Sequence, residues 1–148
     1  MYEPDKELIL RNQVLPALQV LAAEADVQVT LYPPFCCPLQ QVSQENDPCF
    51  AALLGNFGDE LTDDQRRLLE RLEEVLAATT EADLDCSAGP LKTELPENRK
   101  WGIERKILEN AHWSNVRLLA RQALSAFNIE RKDPSPARET KPNVWEGP

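Results

Sequence analysis

The chain is poor in histidine, the residue on which acid–base and triad sites most often rely. It contains one histidine, His112, in 148 residues, so imidazole acid–base or triad chemistry has a single residue to draw on. Gly55-Asn56-Phe57-Gly58 lacks both the following Lys-Ser/Thr and the preceding strand of a phosphate-binding loop. Apolar stretches are broken by Gln, Glu or Arg well before the ~18 residues that a membrane span requires. The opening MYEPDKELIL carries acids within its first seven residues, unlike a secretory leader with its basic start and apolar centre. A cytoplasmic protein without a membrane partner is expected. No internal repeat is evident.

Four cysteines are present, Cys36, Cys37, Cys49 and Cys86, in no spacing that resembles a secreted disulfide framework. Reduced, mostly buried thiols are expected. Cys36 or Cys37, Cys49, Cys86 and His112 could together offer four nitrogen and sulfur ligands. However, a structural zinc site normally takes its ligands in pairs from C-x2-4-C knuckles, and that knuckle is missing. No metal and no cofactor are assigned. Cys49, two residues past Asp47 in a predicted first helical turn, is placed where a helix dipole favours thiolate. Nothing in the sequence supplies it with a base or a resolving cysteine. No catalytic residue is assigned, and an enzyme is the less favoured reading.

What the chain does have is charge and proline. Net charge is −9, and it is uneven: residues 1–91 carry five basic and seventeen acidic side chains, residues 92–148 eleven basic and eight acidic. Such a balance disfavours nonspecific nucleic-acid binding and anionic membrane surfaces, both of which depend on Lys and Arg. It suits ordinary solubility, or an acidic front that meets a basic partner. The twelve prolines predict several medium helices rather than one rod.

Apolar spacing organises the rest. A first helix is predicted from Pro4 or Asp5 to about Ala25, with Leu8, Leu15, Ala22 and the neighbouring Leu10, Val14, Leu18 and Leu21 on a broad core face and a kink or split near Asn12 caused by Pro16. Val27, Val29 and Leu31 alternate with Gln28 and Thr30, the pattern of a half-buried strand, and Leu91–Leu95 is the only other short alternating run. Asp47-Pro48 starts a short helix bearing Phe50, Leu53, Leu54 and Phe57, which Gly58 can close in the left-handed conformation. Thr62-Asp63-Asp64-Gln65 has the form of a capping box opening a helix to about Ala78. After a long connection, residues from about Glu97 form two helices with a phase slip at His112–Asn115, where Ser114 could cap; Asn128 can end the second. From Glu130 onward, charge and proline predict a poorly ordered tail.

Two surfaces stand out. Arg99, Lys100, Arg105, Lys106, Arg117 and Arg121, interleaved with Trp101 and Trp113, could form a basic aromatic face of the kind that stacks bases; the competing account is an intramolecular face, and the overall charge favours that account. Tyr32 and Phe35 flank the stiff Pro33-Pro34 pair and would anchor a partner if exposed. The expectation is therefore a mainly α, single-domain bundle of about five helices over residues 1–129 with a tail over 130–148 and room for one minor two-stranded element, 27–32 with 91–95. The expected function is a noncatalytic protein-binding domain (adaptor, regulator or immunity-type inhibitor) contacting a protein partner through Tyr32, Phe35, Asp63, Asp64, Glu70 and Glu74. The alternative is a small cysteine-dependent redox or metal-binding protein.

Overall fold

The computed structural model describes residues 6–31, 38–43, 49–80, 107–134, 138–141 and 144–146. Over these the fold is mainly α. Helix α1 (Lys6–Ile9) runs through a π-helical turn (Leu10–Val14) into α2 (Leu15–Ala22). Short helices α3 (Ala25–Gln28) and α4 (Pro38–Ser43) follow, then α5 (Cys49–Phe57), a 3-10 turn (Gly58–Glu60), α6 (Asp63–Ala77) and α7 (Ala111–Ala126). A hairpin of β1 (Arg138–Lys141) and β2 (Val144–Glu146) comes last, antiparallel, with Glu139 opposite Trp145.

Helix α7 organises the core. It packs on α2 with one side and on α6 with another, while α5 bridges α1, the π-turn and α6. Val14, Leu18 and Leu21 meet Leu69 and Leu72 of α6 and Trp113, Val116, Ala120 and Leu124 of α7 in one buried cluster. Burial of this apolar stripe, rather than helix propensity, supplies most of the stability of such elements.

The helix ends show why the elements stop where they do. Thr62 Oγ1 accepts from the Gln65 N–H (3.1 Å) and Gln65 Oε1 from the Thr62 N–H (3.0 Å), the reciprocal capping box expected from the sequence. Gln65 Nε2 also donates to the Ala126 carbonyl (3.0 Å), tying the start of α6 to the end of α7. Asn128 sits at a φ of 59°. The Asn128 N–H bonds the Ser125 carbonyl and the Ile129 N–H the Leu124 carbonyl, both 2.9 Å, which is a Schellman termination with asparagine in glycine's usual place.

Several local expectations are corrected. The strand predicted over 27–32 is instead α3 followed by turns as far as Leu31. Ala25, Gln28 and Leu31 are the buried residues there, a spacing of three, because the Gln28 amide is needed inside. Its proposed partner 91–95 lies outside the described residues; the two-stranded element falls at 138–146, within the stretch read as a tail. Gly58 begins a 3-10 turn, and no described glycine has positive φ. Asn110, not Ser114, caps α7, its Oδ1 accepting from the Trp113 N–H at 2.9 Å. The largest correction is at α1: Leu8, expected on the core face, is 58% exposed, and Ile9 is 6% exposed in its stead.

Candidate functional site

Of the expected contact residues, Asp63, Asp64, Glu70 and Glu74 all lie exposed on α6. At about 100° per residue, Asp63, Glu70 and Glu74 share an outward stripe opposite Leu69, Leu72 and Leu76. The stripe is not uniformly acidic. Arg66 pairs with Asp63 (3.0 Å), Arg67 with Asp64 (3.1 Å) and Arg71 with Glu74 (3.1 Å). Exposed pairs at this spacing are worth a few tenths of a kcal/mol each. Over 59–77, which includes the exposed Asp59 and Glu60, seven acids face three arginines, so the surface is acidic in sum. Tyr32 and Phe35 lie outside the described residues.

The residues of the thiol and metal readings are not brought together among the described residues. Cys49, at the start of α5 and in no disulfide, is buried within the apolar cluster. His112 Nε2 lies 2.9 Å from Thr79 Oγ1, and its ring meets Trp113 edge-on at 4.9 Å. Cys36, Cys37 and Cys86 are outside the described residues. Among the described residues, no group of three or more His, Cys, Asp or Glu side chains could hold a metal ion, and no helix is long and apolar enough to cross a membrane.

The candidate basic aromatic face has another use. Trp113 is buried in the core. Arg117 Nε donates to the Ala23 carbonyl (2.8 Å) and its Nη2 to the Leu108 carbonyl (2.9 Å). Arg121 Nε donates to the Ala22 carbonyl (3.0 Å), and its Nη2 to Glu24 Oε1 (2.6 Å). Gln28 Nε2 donates to the Val20 carbonyl (2.9 Å) and reaches the Leu21 carbonyl at 3.5 Å. The carbonyls that α2 leaves open at its C-terminal end are thus met by three side chains, two of them from α7. Burial pushes the Arg117 guanidinium below its usual pKa, and the Glu24 carboxylate partly offsets this. The Arg121 hydrogen bond holds the Glu24 carboxyl below its usual value. Trp101, Arg99, Lys100, Arg105 and Lys106 lie outside the described residues.

One concavity was not anticipated. A cleft of about 330 Å³ opens between the amino-terminal helix and the end of α7, lined by Glu7, Leu10, Arg11, Leu15, Phe127 and Ile129. That volume is at the small end for ligand sites. Its walls are the four apolar side chains, and its rim is the exposed Arg11–Glu7 pair at 3.0 Å. Two features build it: the π-turn, which sets the phase of Leu15 relative to Glu7 and Leu10, and the Schellman turn, which directs Ile129. Pro16 and Asn128 were visible signals for both, but their convergence depends on tertiary packing. No family model, curated protein or solved structure matches the chain.

Proposed function

We propose that this chain is a noncatalytic, cytoplasmic protein-binding domain (an adaptor, regulator or inhibitor) that presents the outer face of α6 to a basic partner. One observation carries this reading. Glu70 lies at the middle of α6 and Glu74 in its last turn, where the helix dipole disfavours carboxylates. They are also exposed and outside the core. Asp63 and Asp64 sit at the opposite end, where capping and the dipole account for them; neither accounts for Glu70 or Glu74, and the exposed Arg71–Glu74 pair is worth only a few tenths of a kcal/mol. Carboxylates held out from a rigid helix favour a cationic surface and speed its encounter.

The test is affinity capture from the source cell with the wild-type chain and with the variant Glu70→Lys/Glu74→Lys. A partner retained by the wild type, lost from the variant and weakened by rising salt supports the reading. Capture that is indifferent to both changes defeats it. The cysteine-dependent alternative has gained no favouring observation, since Cys49 is buried; a stoichiometric metal, or one fast-reacting thiol in the native protein, would revive it.

A further inference from the structure

The amino-terminal helix carries one residue more than an α-helix would fit between α1 and α2. At the end of the π-turn the Leu15 N–H bonds the Leu10 carbonyl, five residues back instead of four. Pro16 follows immediately. In a regular α-helix its ring would collide with the Asn12 carbonyl, which would also lack an N–H partner. A single wide turn at this point is one of the ways a helix accommodates such an insult. Its consequence is a change of phase: residues before the turn are rotated by roughly one residue, or 100°, against those after it.

We propose that Pro16 is a register lock that holds the cleft open. The sequence around α1 is compatible with two registers, because Leu8-Ile9-Leu10 places three large aliphatic residues in a row. In the register observed, Ile9 is buried, Leu8 is exposed, and Glu7 and Leu15 both line the cleft. Straightening the helix against a fixed α2 advances each earlier residue into its predecessor's place. Leu10 then takes the core position of Ile9, four, seven and eleven residues before Val14, Ala17 and Leu21, which are all buried. Ile9 turns outward into the place of Leu8. Leu8 replaces Glu7 at the cleft, seven residues before Leu15 and on the same face, so an aliphatic side chain enters the apolar concavity and the Glu7–Arg11 rim is undone. Both registers bury an aliphatic residue in the same core position. The choice between them therefore falls to the proline.

The experiment reads the side chain at position 9. Ile9→Cys is introduced into the wild type and into Pro16→Ala, and maleimide labelling is followed with the modified residue assigned by peptide mass. In the wild-type background Cys at position 9 is expected to be protected; in Pro16→Ala its labelling should quicken on the order of tenfold or more. Leu10→Cys should change the opposite way. A compensating variant guards against a trivial loss of structure: deleting Asn12 in the Pro16→Ala background removes the extra residue, so Cys at position 9 should be protected again. Equal protection of position 9 with and without Pro16, or failure of the deletion to restore it, would overturn the proposal. Neither result bears on the acidic face of α6.

Discussion

Arg117 joins its own stretch of chain to one that lies far from it in sequence. Its two carbonyl acceptors belong to Ala23 and Leu108, and it is 8% exposed, so no water can readily replace it. Substituting Arg117 by Met keeps much of the packing but leaves both carbonyls without that donor; we expect a loss of about 2–4 kcal/mol in urea unfolding. Arg117→Lys should recover part of it, since one ammonium cannot reproduce the fork. Gln28 makes a contrasting case. Its Oε1 is buried with no hydrogen-bond partner among the described residues, while the Val20 carbonyl it serves also accepts from the Ala23 N–H at 3.2 Å. Gln28→Met removes an orphaned acceptor together with a donor, so a change within about 1 kcal/mol is expected. Glu24 adds a pH dependence. Its pKa is lowered in the folded state, so its contribution is present above the ordinary value of 4.5 and is lost as pH falls through the lowered one. The side chain is largely exposed, so the contribution is small. Urea midpoints of wild type and Glu24→Gln should differ near neutrality and converge in acid below that value.

At the scale of elements, what was legible in the sequence is what is local. The Thr62–Gln65 box spans four residues, and the α6 stripe repeats within its own helix, so both follow from short-range rules. The segment 27–31 was misread because alternation of Val27, Val29 and Leu31 looks like a strand, whereas burial of Gln28 is imposed by carbonyls of another helix. Leu8 was misplaced for a related reason: the kink at Pro16 could be anticipated, but its form as a π-turn, with the attendant phase change, could not. Contacts across the chain also govern the carboxy-terminal segment. Gln19 Nε2 donates to the Glu130 carbonyl (2.9 Å) and its Oε1 accepts from the Lys132 N–H (2.7 Å), a two-point clamp on a strip expected to leave the domain. Limited trypsin digestion should therefore spare Arg131 and Lys132 longer than Arg138, the one basic residue beyond them that is not followed by proline. Gln19→Ala should expose these two bonds to earlier cleavage; indifference to that substitution would show that the clamp does not hold the strip.

For the whole molecule, the core and the proposed binding face place opposite demands on α6. Its inner stripe is settled by burial of Leu69, Leu72 and Leu76, which the sequence announces. Its outer face is exposed and takes no part in the core, and this is why composition alone could indicate an acidic surface but not its use. Glu74 brings the two demands into one residue. Glu74→Lys gives up the exposed pair with Arg71, worth about 0.3–0.5 kcal/mol, and sets two cations at that spacing at a similar cost. In return it places a cation in the last helical turn, worth about 0.3–1 kcal/mol, four residues after Glu70 in the favourable order. The variant should thus be as stable as the wild type or slightly more so at low salt, a difference that shrinks as salt rises. If the acidic face serves a basic partner, that same variant should capture it less well. Stability held or gained while binding falls would mark Glu74 as a residue kept for its partner; a clear loss of stability would return it to the fold.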